Sequence, residues 1–176
     1  DLVTGNLLSE LILPQRFQVI TPELGAADFL LAGDDGVWRL KDGALQQLLN
    51  QTGPFLHVLA GPQGDYYCLL PYGNLLRCNW TNGSGLIKEI YLGFNASDMR
   101  LIGSDIAVCG AGKAVLLDAA LNKVSSFLLP EGFTATHIGP YGAQACLLAG
   151  QEHHQTSRNY WTQAFTWDGT PLQQGT

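Results

Sequence analysis

A period of about 39 residues constrains this chain more than any other feature. Residues 13–33 read LPQRFQVITPELGAADFLLAG, and residues 129–150 read LPEGFTATHIGPYGAQACLLAG. Both carry Leu-Pro, a Phe three residues after that Pro, a second Pro, Gly-Ala and a closing Leu-Leu-Ala-Gly. Weaker copies lie between them at 53–70 and 93–110. Phe17, Phe55, Phe94 and Phe133 are separated by 38, 39 and 39 residues. A fixed period in this range means one supersecondary unit repeated along the chain, each unit burying its apolar face against the next.

Each unit has the same internal grammar. In the second, FLHVLAG is an apolar run ended by Gly-Pro. DYYCLL follows and ends at Pro-Tyr-Gly, NLLRCNW alternates, TNGSG breaks it, and LIKEIYL alternates again. Short β-rich runs bounded by Gly, Pro, Asn and Asp are strands joined by hairpins. Every repeat therefore predicts four antiparallel strands, named a to d. The b runs (FLLAG, DYYCLL, DIAVCG and ACLLAG) are apolar on nearly every residue, as for a strand covered on both faces. The d runs alternate with polar residues, as at a rim. Asp42-Gly43, Asn82-Gly83, Leu121-Asn122 and Asp168-Gly169 mark the c-to-d turns. The Asp-Gly and Asn-Gly pairs suit type I′ geometry, in which both central residues take positive φ. No stretch carries a helical apolar stripe.

Composition narrows the function classes. The formal net charge is -6 and Lys and Arg form no run. That disfavours nucleic acid and anionic membrane surfaces, both of which need a basic footprint. No apolar run reaches the 18 or so residues of a spanning helix, so direct membrane insertion is not expected. Cys68, Cys109 and Cys146 occupy matching b positions and read as small apolar residues on buried strands. Cys68 and Cys78 flank one predicted hairpin, where a disulfide is the alternative to two thiols. Without a C-x-x-C pair, a zinc or thioredoxin-like site is not expected. The start at Asp1 without an initiator methionine, and the scarcity of Lys, favour an extracytoplasmic location.

Four-stranded units of about 40 residues resemble the blades of a β-propeller. The likeness covers the whole chain but carries no WD signature in each blade, no kelch double glycine and no Asp box. Residues 36–40, GVWRL, look like an element common in sensor propellers. The resemblance implies one all-β domain of four repeats, at about 15–50, 53–92, 94–129 and 131–176. Residues 1–14 carry an extra d-like strand that would complete the last blade and close a four-bladed ring, similar in outline to hemopexin-like domains. The other arrangement consistent with the repeats is four blades of a larger ring.

In a propeller the b-to-c and d-to-a loops open on one face, commonly the binding face. Here that face would collect Arg16, Asp34, Asp35, Tyr72, Asn74 and Lys113. The fourth b-to-c connection, 151–159, reads QEHHQTSRN, is longer than the others, and adds His153, His154 and Arg158. Insertions on one face often mark the binding face. His153 and His154 are adjacent and point opposite ways on an extended segment, so no metal site is assigned. His57 and His137 fall in predicted a strands, as interior histidines.

No G-x-S-x-G, phosphate loop or dinucleotide fingerprint is present, so neither catalytic residues nor a cofactor is assigned. Asp34 and Asp35 are adjacent, and turn chemistry accounts for them. Asp28, Asp65 and Asp105 precede strand b in three repeats, a repetition that suggests structural bonds between blades and to loop N–H groups. Sequons at Asn50, Asn79, Asn82 and Asn95 would be glycan acceptors in a secreted eukaryotic chain. The leading expectation is a non-enzymatic recognition module binding a protein or small ligand on the b-to-c face. The alternatives are a propeller enzyme, such as a glycoside hydrolase or lyase, and blades of a larger sensor or secretion assembly, homo- or hetero-oligomeric.

Overall fold

The structure, a computed structural model, describes residues 13, 16–22, 28–81, 85–142, 144–153 and 157–172. Four antiparallel sheets follow one another along the chain. The first contains β1 (Phe17–Pro22), β2 (Phe29–Gly33), β3 (Gly36–Lys41) and β4 (Ala44–Leu49). The second contains β5 (His57–Ala60), β6 (Asp65–Leu69), β7 (Asn74–Asn79) and β8 (Gly85–Tyr91). The third contains β9 (Ala96–Ile102), β10 (Asp105–Gly110), β11 (Lys113–Leu117) and β12 (Lys123–Leu128). The fourth contains β13 (Phe133–Pro140), β14 (Ala145–His153) and β15 (Arg158–Thr166). Strands pair in sequence order within each sheet, so every repeat is a four-strand meander or most of one. The fourth sheet begins its d strand at Pro171, which bridges to Phe165, while Leu172 N–H donates to the Ala164 carbonyl at 2.9 Å. The expected closing strand at 1–14 falls almost wholly outside the described residues.

Apolar residues on both sides of the b strands stack the sheets. Leu30 and Ala32 of β2 meet Tyr66 and Cys68 of β6 in one core. Tyr67 and Leu69, on the other face of β6, meet Ile106 and Val108 of β10 in the next. Ala107 and Cys109 then meet Cys146 and Leu148 of β14. Each fully buried Leu, Ile or Val contributes about 1.5–3 kcal/mol. Alternation is what lets one strand serve two interfaces, because successive side chains leave opposite faces. The three cores join consecutive sheets; among the described residues none joins the fourth sheet to the first.

A glycine closes several b strands for a steric reason. An added Cβ at Gly110 would lie 2.1 Å from the Asn95 carbonyl oxygen, and one at Gly150 would lie 2.0 Å from that of Thr134. Each a–b ladder kinks beside this position, at Cys109/Gly110 and Ala135/His137. The sequence therefore needs Gly where the inner strand bulges toward its neighbour.

Several expectations need correction. Asp42-Gly43 has positive φ at both residues, as type I′ requires, but at Asp168-Gly169 only Gly169 does. There the Asp168 carboxylate holds the turn by accepting from the Thr166 hydroxyl and the Thr170 N–H. Of the two states left open for Cys68 and Cys78, the structure has buried free thiols, and the register sets Tyr66, not Cys68, opposite Cys78. Among the described residues, Asp28, Asp65 and Asp105 show no bond to a loop N–H or to a neighbouring sheet; Asp105 accepts only from the Ser104 hydroxyl at 3.4 Å. Asp28 pairs with Arg39 at 3.1 Å, and Asp65 pairs with Arg77 at 2.7 Å, each on strand c of its own sheet. Asn79 is buried and bonded to Asp65 at 2.7 Å, so its sequon side chain is taken.

Candidate functional site

All b strands run the same way, so the b-to-c turns and d-to-a loops gather on one face of the stack. Backbone bonds tie them together there. Leu92 N–H donates to Gly73 O, Ala111 N–H to Asn95 O, Leu129 N–H to Gly112 O, and His153 N–H to Gly132 O, all at 2.8–3.0 Å. The face is thus a braced platform rather than a set of independent loops.

The expected site residues divide on this platform. Asp34 accepts from Gln18 Nε2 at 2.8 Å, and Arg16, two residues before Gln18 in the chain, is exposed. Asp35 is occupied structurally: its carboxylate takes the Trp38 indole N–H at 3.1 Å and its carbonyl takes Gln47 Nε2 at 3.0 Å. Lys113 Nζ lies 5.7 Å from the Phe94 ring centroid, a cation–π contact at the platform edge. Asn74 opens β7 opposite Tyr91, and its carbonyl receives Leu70 N–H. Tyr72 is presented outward on a left-handed backbone, at φ 66 and 76% exposed.

The segment 151–159 is not the long loop that its composition suggests. The β14–β15 ladder continues past Gly150 through Gln151↔Tyr160 and Glu152↔Asn159 to His153↔Arg158. Strand b stops at the matching Gly in the first and third sheets. The fourth sheet therefore projects a two-stranded tongue that carries exposed His153 and Arg158. His154 falls outside the described residues.

Composition hid the apolar component of the platform. Tyr91 ends β8 at 69% exposed, Leu128 ends β12 at 77%, and Tyr160 on the tongue is 83% exposed. Leu128 lies opposite Lys113, and Tyr91 opposite Asn74. In sequence Tyr91 and Leu128 look like ordinary d-strand alternation. The only available signal was that each is the last d residue before the loop.

The interior carries a second polar centre. Asp98, in the innermost strand β9, is 1% exposed. Its carboxylate accepts Ile138 N–H from the fourth sheet at 3.0 Å and Met99 N–H at 2.9 Å. His57 Nε2, from the second sheet, lies 3.2 Å from both the Asp98 carboxylate and Ser97 O. Two acceptors around one nitrogen place the proton on Nε2. Asp98 thus links three sheets. His57 is an interior histidine as expected, whereas His137 is exposed on the outer face of the fourth sheet, with Nδ1 3.0 Å from Thr136 Oγ1. Among the described residues no three His, Cys, Asp or Glu side chains gather at metal-binding spacing.

Solved structures share this arrangement. BamB from Moraxella catarrhalis superposes with a TM-score of 0.67 at 18% identity, over 96% of this chain and 50% of its own. Sqt1 from Saccharomyces cerevisiae gives 0.61 at 15% identity, over 82% of this chain and 43% of its own. The fold is a β-propeller. Its innermost strands are β1, β5, β9 and β13, and its outermost are the d strands. The chain spans half or less of the length of these two propellers. No known protein family matches the sequence, and neither does any curated protein.

Proposed function

We propose that this propeller is a non-enzymatic binding module whose b-to-c platform holds a protein partner. One observation carries the reading: Tyr72, Tyr91, Leu128 and Tyr160 stand exposed at strand ends and turns on that braced face. Tyrosine is enriched where interfaces bury their most costly contacts, since one end is apolar and the other hydrogen-bonds. Arg158, His153, Asn74 and Lys113 supply polar groups around them. A platform fixed by backbone bonds loses little entropy on binding.

The glycoside hydrolase or lyase alternative needs at least two carboxylates converging on one cavity at the ring centre. Asp98 is the buried carboxylate there, and its oxygens hold backbone N–H groups. Asp28 and Asp65 lie at the opposite ends of their sheets, each against an Arg.

The test is site-specific photo-crosslinking. A benzophenone side chain at Tyr72 or Tyr91 is expected to capture one defined protein, and the same group at Asn122, on the opposite face, is not. Affinity for that protein, measured with Tyr72→Ala and Tyr91→Ala, should fall by about 2 kcal/mol for at least one of them. Equal capture from both faces, or unchanged affinity in both variants, refutes the platform as the binding surface.

A further inference from the structure

Among the described residues, four that are not glycine take a left-handed backbone: Asp42 (φ 49), Gln63 (φ 56), Tyr72 (φ 66) and Leu121 (φ 61). In that region Cβ crowds the following carbonyl oxygen, and the strain persists only where the surroundings hold it in place. Three of the four have a reason inside the fold. Asp42 sits in a type I′ turn beside Gly43, and Asp tolerates this conformation. Leu121 is 3% exposed and packs in the core between the second and third sheets. Gln63 sets its carbonyl where the buried Asn79 amide donates to it at 3.2 Å. Tyr72 has no such reason. Its side chain is 76% exposed, and no described residue bonds to it or stacks on it.

The turn that carries Tyr72 is built to keep it left-handed. Strands b and c are joined by two residues in the first sheet, Asp34 and Asp35, and by two in the third, Ala111 and Gly112. In the second sheet five residues, Leu70 to Asn74, lie beyond the last ladder pair, Leu69 with Leu75. Leu70 N–H donates to Asn74 O at 2.9 Å across the base of this turn, and Pro71 restricts the backbone just before Tyr72. Gly73 is left-handed too, at φ 86, and is pinned to the next loop. Its carbonyl accepts Leu92 N–H at 2.9 Å, and an added Cβ would lie 2.1 Å from Phe94 O. A turn with Pro at its first central position and positive φ at its second ordinarily takes Gly or Asn there. Here a tyrosine holds that place, raised beyond the ends of the strands.

We infer that Tyr72 is the anchor of the platform: its ring enters an apolar pocket on the protein partner, and its hydroxyl meets an acceptor at the pocket floor. The inference rests on the binding platform proposed above and adds which residue the partner reads. A side chain presented on a rigid turn loses little freedom on burial, so its contact area converts efficiently to affinity. A phenol joins an apolar face to one O–H donor, so the pocket that fits it has apolar walls and ends in a carbonyl or carboxylate. Tyr91 and Leu128 stand at the ends of β8 and β12 without a left-handed backbone, and are rim contacts.

The test compares stability with affinity in the full chain. Tyr72→Asn relieves the backbone strain without the added chain freedom of glycine, so it should melt about 2–4 °C above wild type. The binding probe is the protein captured by benzophenone at Tyr91, a choice that does not use Tyr72. Affinity for it should fall about 30-fold or more in Tyr72→Asn, and about 5-fold in Tyr72→Phe, which loses only the hydroxyl. Stability that rises while binding falls is a pattern that a merely structural tyrosine does not give. A melting temperature at or below wild type for Tyr72→Asn overturns the inference without reference to any partner. Unchanged affinity of the captured protein for Tyr72→Asn overturns the anchor and leaves the platform standing. Absence of specific capture from both Tyr72 and Tyr91 overturns the platform, and the anchor with it.

Discussion

Replacing Asp98 by alanine should destabilise this propeller more than any surface change of similar size. The substitution removes the acceptor for Ile138 N–H at 3.0 Å and for Met99 N–H at 2.9 Å, and one of the two acceptors of His57 Nε2 at 3.2 Å. Two buried N–H groups are left unpaired, each costing about 1–3 kcal/mol, and the bonds lost were to an ionised acceptor. The expected loss is about 3–6 kcal/mol, a large share of the 5–15 kcal/mol typical of a domain. Asp98→Asn keeps one acceptor oxygen but turns its amide N–H groups toward other donors, so it should fall between wild type and Asp98→Ala. Arg100→Ala should cost little, since that guanidinium is 3.6 Å away and its side chain is 48% exposed. Urea unfolding followed by tryptophan fluorescence gives the free energies, and an unchanged m-value keeps the comparison two-state. Native-state hydrogen exchange at Ile138 should accelerate in the same order. A loss below about 1 kcal/mol for Asp98→Ala would show that this carboxylate does not tie the sheets together.

Two glycines separate steric from conformational cost. Gly150→Ala puts a Cβ 2.0 Å from Thr134 O and forces the inner strand to move, whereas at Gly43 (φ +76) an added Cβ meets nothing within 4 Å. Thermal melts should show Gly150→Ala costing about 3 kcal/mol and Gly43→Ala about 1 kcal/mol, and the reverse order would refute the bulge explanation. Burial pushes the Cys146 thiol up to about 12 and raises those of Cys68 and Cys109. Below pH 9 the folded and unfolded chains both hold these protons. Between 9 and 12 the unfolded chain releases its thiol protons while the folded chain keeps them, so stability falls as pH rises through that window. Cys146→Ala should flatten the fall, and native protein at pH 8 should resist thiol reagents until it is unfolded.

Much of the fold was legible because a propeller blade is written locally. Runs of five to eight residues between turn formers gave the strands, and the 39-residue period gave the sheets. Continuous apolar b strands announced burial on both faces, which β6 and β10 show and β14 does not, and the three b-strand cysteines are all buried. Each of these properties depends on neighbours within a few residues, and the alternation of β side chains converts them directly into geometry.

Tertiary structure decided which repeats of one residue type do different work. Asp28 and Asp65 look alike in sequence and meet an Arg of their own sheet, while Asp98 crosses between sheets to Ile138, 40 residues away. His57 and His137 both belong to inner strands, yet one is held by Asp98 and the other stands exposed on the outer face of the fourth sheet. The tongue at Gln151 to Arg158 reads as a polar loop, since only the ladder register shows the strands continuing past Gly150. Tyr91 and Leu128 read as rim alternation, since their exposure depends on where strand d ends against the platform. Periodicity fixes which face a side chain leaves; what it meets there is set by strand register and by which sheet stands next in the stack.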